Sequence, residues 1–282
     1  MSALYALSDG VLYPLMYHVV RYRRALVREN LRGAFPDKSE RERRAIEKRF
    51  YHHFADVIME IVHGYRATDE DMRERMQFDN LKDVEQWAVQ NQGVIFMLGH
   101  LGNWEWTADV QKRFSNPAIR HYNVYRRLKN KSADDTMIAL REKRSGKDSN
   151  FEKNSLLRHL VRVHRLGTPF TLGLISDQKV SPDKPSVETV FFGRSTTFLD
   201  GGENIARKFG YAVTYVHITQ LSRGHYSAHV ELIADKPADI EPGVITREYA
   251  KRLEANIMEQ PELWLWTHNR WKYSRPLTDA DK

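Results

Sequence analysis

Residues 93–106 read GVIFMLGHLGNWEW, and this stretch decides the fold. GVIFML (93–98) is continuously apolar, the pattern of a strand covered on both faces, as in sheets with helices on either side. His100 stands where that strand ends, and in open α/β sheets ligands bind at the carboxyl ends of strands. Asn103 reads as a helix N-cap, which places Glu105 in the first helical turn. A strand–turn–helix of this kind brings imidazole and carboxylate together although five residues separate them. An imidazole held by a carboxylate has its tautomer fixed and its cation stabilised, the arrangement of a general base that takes a proton from a hydroxyl. The plainer reading is structural: a hydrogen-bonded His at a strand end, and a Glu that offsets the helix dipole.

Outward from this turn, strands and helices alternate. IRHYNVY (119–125), PFTLGLIS (169–176) and SVETVFF (186–192) read as strands. KSADDTMIALREKR (131–144), SLLRHLVRVHR (155–165) and GGENIARKFG (201–210) read as helices. YAVTYVHITQL and HYSAHVELI face each other across Ser222-Arg223-Gly224 as a hairpin, and TREYAKRLEANIMEQ (246–260) is a late helix. Upstream, Ser39 caps a long helix with apolar Ile46, Phe50, Phe54, Val57, Ile58 and Ile61, while TDEDMRERM (68–76) and LKDVEQWAVQ (81–90) form shorter ones. The expectation is an α/β fold: a mixed sheet flanked by helices over 67–282, behind an N-terminal helical region at 1–66.

With 282 residues and 41% hydrophobic content, the chain can bury a sizeable core. It has no cysteine, which excludes disulfides, a thiolate nucleophile and Cys-ligated metal. The net charge of +7 is uneven: residues 1–50 and 101–150 each carry 11 Lys/Arg against 6 Asp/Glu, whereas 51–100 carry 4 against 9. Such basic blocks are either solvated helix faces or surfaces for an anionic partner: a membrane, an acidic protein or a phosphorylated ligand. No motif of a nucleic-acid-binding domain accompanies them, so no nucleic acid is expected. The twelve histidines show no metal-ligand spacing, and no metal is expected either.

No stretch has the 18 or so apolar residues of a membrane span. Residues 3–20, ALYALSDGVLYPLMYHVV, are broken by Asp9, Gly10, Pro14 and His18, then followed by RYRR. Apolar and aromatic residues running into a cationic cluster suit a segment at 3–24 lying in a membrane interface. Leu4, Leu7, Val11, Leu12, Leu15, Val19 and Val20 form its apolar stripe. The alternative buries that stripe against the helix at 39–64.

HLGNWE resembles the His-x4-Glu motif of the bacterial lipid A late acyltransferases, the lauroyl/myristoyl group, relatives of glycerophosphate acyltransferases. VYRRLKN (124–130), ISDQ (175–178), FFGRSTTF (191–198) and WLWTHNRWK (264–272) are similar to further blocks of that family, in order along nearly the whole chain. The resemblance implies a glycerophosphate-acyltransferase-like fold. It implies transfer of a fatty acyl chain from an acyl carrier protein, or from acyl-CoA, to a hydroxyl of a lipid A precursor or related lipid. It also implies work at the cytoplasmic face of the bacterial inner membrane, without a cofactor. His100 is then the base and Glu105 its partner. Arg126 stabilises the oxyanion or contacts substrate, and Asp177 shapes the site or binds the acceptor.

Overall fold

The computed structural model describes residues 1–127 and 130–276. The chain starts with a helix, α1 (Ser2–Leu7), that runs on through two π-helical turns at Ser8–Leu12 and Leu15–Val19. Next come α2 (Arg24–Ala34) and the long α3 (Glu40–Gly64). Ser39 caps α3 as the sequence predicts, and Glu42 completes a reciprocal capping box with it. Ile46, Phe50 and Val57 of α3 are buried, but so are Glu47, Asp56 and Glu60. This helix is covered on two sides, by the core and by the N-terminal segment.

Two short helices follow, α4 (Asp69–Arg75, capped by Thr68) and α5 (Leu81–Gln90), with β1 (Met76–Asp79) between them. β2 (Gly93–Leu98) is buried at all six positions. After it come β3 (Arg120–Tyr125), α6 (Lys131–Ser145), β4 (Asn150–Glu152), α7 (Leu156–Leu166) and β5 (Phe170–Ile175). The hairpin β6 (Ser186–Phe191) and β7 (Arg194–Leu199) leads to α8 (Gly201–Phe209). Last are the long hairpin β8 (Ala212–Ser222) and β9 (His225–Ala234), α9 (Val244–Glu259), and the two-residue β10 (Arg275–Pro276).

Seven strands form one mixed sheet in the order β1-β9-β8-β2-β5-β3-β4. β8, β2, β5, β3 and β4 run parallel, and β9 pairs antiparallel with β8. β10, β7 and β6 make a separate three-stranded sheet. The α/β expectation therefore holds, with four strands unforeseen: β1, β4, β7 and the two-residue β10. The connections leaving the neighbours β2 and β5 travel in opposite directions along the sheet, to β3 and to β8. Where adjacent strands part in this way, the loops at their carboxyl ends frame a crevice.

The segment at 103–114 departs from expectation. Trp104–Lys112 is a 3-10 helix, and the Asn103 side chain caps nothing. Its amide NH2 instead donates to Glu60 Oε2 at 3.0 Å. A buried carboxylate across the interface wins this donor over the local turn.

Among the described residues no helix is long and apolar enough to cross a membrane. Residues 2–19 lie along α3 in an inverted sense. Tyr5 Oη donates to Glu60 Oε1 (3.0 Å), Ser8 Oγ donates to Asp56 Oδ1 (2.7 Å), and the buried Tyr17 packs on Tyr51. Arg223, at the tip of the β8–β9 hairpin, bridges Asp9 and Asp56 with paired hydrogen bonds of 2.6–2.8 Å. The aliphatic side chains point the other way: Leu7, Val11, Leu15 and Val19 are 45%, 54%, 44% and 71% exposed. Residues four apart drift around an α-helix axis, and the wider π turns counter that drift. The stripe is not buried against α3; α3 receives the polar and aromatic face.

Candidate active site

His100 leaves β2 after Gly99 and lies beside the chain that leaves β5. Its backbone N–H donates to Asp177 Oδ2 at 2.8 Å, and its Nδ1 lies 2.6 Å from Asp177 Oδ1. Trp264 Nε1–H donates to the same Oδ2 at 2.8 Å. Gly99 permits this approach, because a Cβ there would fall 3.3 Å from Asp177 Oδ2 and 2.6 Å from Leu253 Cδ1. The carbonyl of Leu98 accepts from Tyr249 Oη at 2.9 Å, which pins the strand end to α9.

Asp177 is 3% exposed. Burial alone would raise its carboxyl, but the His100 imidazole and the three N–H donors bring it down to about 2. At neutral pH it is a carboxylate and accepts only, so Nδ1 carries the proton. For His100, burial pulls the imidazole down, while the charge and hydrogen bond of Asp177 more than offset this and hold it above its ordinary value. Nε2 is thus the free nitrogen. Among the described residues its hydrogen-bonding neighbour is Gln178 Nε2 at 3.4 Å, and Trp104 stands edge-to-face with the ring at 5.1 Å. His268 accepts from the Lys179 N–H at 2.9 Å and is depressed to about 4 by burial, so it holds the 178–179 loop as a neutral group.

The carboxylate that grips His100 is therefore Asp177 and not Glu105. Glu105 takes a bidentate pair of hydrogen bonds from Arg141 of α6, at 2.8 and 2.7 Å. Its charge contributes to raising the His100 imidazole, and that of Arg141 opposes it. The reason lies in reach. Asp177 Oδ1 and Oδ2 match the side-chain and main-chain donors of one residue, whereas Glu105 on the 3-10 turn meets a guanidinium whose planar fork fits a carboxylate. Arg126 follows β3 directly, at the same edge of the sheet as His100 and Asp177. It is exposed and bears no ion pair among the described residues.

Three of the four sequence candidates thus gather around the ends of β2 and β5, and Arg126 stands at the neighbouring strand end. Arg141, Trp264, Gln178 and His268 were not foreseen as members of the site. For Asp177 and Trp264, the signal was the pair of blocks ISDQ and WLWTHNRWK, without any indication that they meet. Four tryptophans, Trp106, Trp264, Trp266 and Trp271, are buried, and the last three pack on one another and on Phe191 and Phe192. Trp104, next to His100, is partly exposed.

Asp177 orients the ring and leaves Nε2 open, which is the outer half of a Ser-His-Asp relay. No serine or threonine hydroxyl is hydrogen-bonded to Nε2 among the described residues. The hydroxyl that such a base deprotonates must arrive with a substrate. No group of His, Asp and Glu suited to a metal ion occurs among the described residues.

Comparison with protein families gives one model match, described as bacterial lipid A biosynthesis acyltransferase, over residues 10–273. Comparison with curated proteins returns no significant match.

Proposed function

The chain belongs to the bacterial lipid A biosynthesis acyltransferase family and is an acyltransferase, and on that premise we propose how its own residues carry the transfer. His100 Nε2 accepts the proton of an acceptor hydroxyl on a lipid A precursor. The oxygen attacks the carbonyl of an acyl thioester, held on an acyl carrier protein. The tetrahedral intermediate collapses to an ester and expels the thiolate, which takes the proton back from the imidazolium. No covalent enzyme intermediate is required, in keeping with a chain that has no cysteine.

The observation that carries this reading is the Asp177–His100 pair, with Nδ1 occupied and Nε2 open. Asp177 fixes the tautomer and stabilises the imidazolium as it forms. Glu105, locked by Arg141, adds negative field at the ring without touching it; this replaces the direct His–Glu contact that the motif suggested. Backbone N–H groups at the start of the 3-10 helix, which lack intrahelical acceptors, supply donors for the developing oxyanion. Arg126 contributes to the anionic donor surface, and Trp104 lies against the acyl chain.

The exposed aliphatic stripe supports attachment to a membrane surface, with the exposed Arg21 beside it to meet anionic headgroups. A carrier-protein donor places this work at the cytoplasmic face of the inner membrane. The test is lipid mass spectrometry on cells with and without the gene, and with His100→Ala. One acyl chain should be missing from lipid A in the deletion strain, and His100→Ala should lower transfer about 10²–10⁴-fold. Full acylation by a folded His100→Ala protein would remove the base.

A further inference from the structure

Beneath the turn that carries His100 lies a carboxylate that the chemistry above does not use. Glu60, in the last turns of α3, is completely buried. Its Oε2 accepts from Asn103 Nδ2 at 3.0 Å and from Tyr226 Oη at 2.9 Å, and its Oε1 accepts from Tyr5 Oη at 3.0 Å. Three donors from three parts of the chain therefore converge on one carboxylate. Asn103 belongs to the catalytic turn, Tyr226 to β9 and Tyr5 to the N-terminal helix.

The tail holds one side of the turn, with Gly102 N–H donating to the Leu263 carbonyl and Leu265 N–H to that of His100, both at 3.1 Å, and Glu60 holds the other. Gly102 has φ +54, and a Cβ there would lie 3.1 Å from both Ile218 and Tyr226. The turn thus rests directly on the tyrosine that donates to Glu60. Asn103 is also fully buried, and its Oδ1 has no hydrogen-bond partner. The contact to Glu60 is accordingly the polar tether of that side chain. On the other side, Tyr5 lies over the hairpin tip, so that a Cβ on Gly224 would collide with its hydroxyl. The Arg223 guanidinium lies over the Tyr5 ring, 4.3 Å from its centroid, and so covers the side chain that reaches Glu60.

We propose that Glu60 is a positioning residue for acyl transfer, tying the docked N-terminal helix to the turn that aims His100. The inference rests on the His100 reading above. It adds that the helix bearing the aliphatic stripe and the catalytic base are joined by one carboxylate, over the path Tyr5–Glu60–Asn103. Seating of the helix on α3 then sets the height of residues 100–105 over the crevice.

The experiment measures acyl transfer from carrier-protein thioester to lipid A precursor in mixed vesicles, with the full chain and with folding checked by thermal melts. Glu60→Ala leaves three donors without an acceptor and removes the side-chain tether of the turn. The expected loss is about 10²-fold in kcat, the scale of a misplacement near 1 Å, with the donor KM unchanged. Glu60→Gln keeps an oxygen for Asn103, and its NH2 can donate to a tyrosine hydroxyl, so it should recover to within about tenfold. Tyr5→Phe, which removes one hydroxyl from the far end, should lower kcat about threefold or more. It should also move the His100 imidazole resonances of histidine-labelled protein, a change that a merely structural tyrosine would not cause.

If Glu60→Ala fails to fold, Tyr5→Phe and Tyr226→Phe carry the test alone. Folded variants with wild-type kcat and unmoved His100 resonances, beside an inactive His100→Ala, overturn the positioning role and leave the base intact. An active His100→Ala instead overturns the base, and the resonance shift still reports whether Glu60 holds the turn.

Discussion

The carboxyl edge of the sheet and the N-terminal helix solve opposite problems with the same kinds of residue. At the sheet edge an apolar strand, β2, ends in polar groups that face a crevice, and the hydrogen bonds of Asp177 are made at the border of a dry core. Along residues 2–19 the order is reversed. Tyr5, Ser8 and Asp9 turn inward to Glu60, Asp56 and Arg223, while Leu7, Val11, Leu15 and Val19 face outward. A helix whose polar side is buried and whose aliphatic side is bare is stable in water only at a cost. The arrangement becomes favourable when the outside is itself apolar. The comparison teaches that position on the fold, rather than hydrophobicity, separates the two jobs. Under the proposed function, one surface keeps water from a reacting hydroxyl and the other meets lipid.

The largest expected effect sharpens the sheet-edge half. In Asp177→Asn, the two N–H donors from His100 and Trp264 keep the amide oxygen, so the NH2 faces Nδ1. That forces the proton onto Nε2, the wrong tautomer for a base, and transfer should fall about 10²–10⁴-fold. The sign of the pH dependence follows as well. His100 is raised in the wild type, so activity is lost as pH falls through a value above the ordinary imidazole range. Removing the Asp177 charge lowers that value, and the acid limb of the residual rate moves to lower pH. Steady-state rates against pH check both points; an unshifted limb would show that Asp177 does not govern the imidazole.

The next effect probes the other half. Replacing Leu7, Val11, Leu15 and Val19 together by Ser leaves every inward contact in place, so the melting temperature should hold. Partition onto anionic vesicles should drop about 10²-fold or more, since each buried aliphatic side chain contributes roughly 1 kcal/mol or above. Sedimentation of the variant with vesicles as efficiently as the wild type would break the comparison, because the outward face would then be idle. The smallest effect concerns Arg126. With Arg126→Ala the donor KM should rise a few-fold at low salt and converge on wild type as salt approaches about 0.5 M, where the screening length is only a few ångströms. Titration of carrier-protein thioester at several salt concentrations measures this directly.

Much of the architecture was legible because it rests on local periodicity. The unbroken apolar run of β2, the Ser39–Glu42 box of α3 and the hairpin at Arg223 each announce themselves within a dozen residues. β1, β4 and β7 do not. β1 and β4 are only four and three residues long and pair with strands elsewhere in the chain, while β7 opens on the polar run Arg194-Ser195-Thr196-Thr197, which shows no apolar alternation. The site was legible in its members more than in its bonds. His100, Glu105 and Asp177 could be named, yet spacing suggested that His100 meets Glu105, five residues on. Its actual partner lies 77 residues away on the neighbouring strand end. Asn103 illustrates the same limit: a good cap by type, it is drawn off by the buried Glu60, 43 residues earlier in the chain. Pairing across a sheet edge is a tertiary fact, and no local pattern encodes it.

The closing segment of the chain has a consequence for the order of assembly. Trp264 supplies one of the donors that hold Asp177, and the carbonyls of Trp266, Thr267 and His268 receive Asn30 and Arg23, residues made more than two hundred positions earlier. A ribosome releases chain from its N-terminal end at about 5–20 residues per second. The parallel strands can therefore pair while the tail is still inside the tunnel, but the imidazole cannot be set until the final tryptophans emerge. Nascent chains, and chains cut short before residue 264, carry both His100 and Asp177 and still lack the Trp264 donor to that carboxylate. Synthesis itself thus delays competence until the helical cap and the tail have closed on each other.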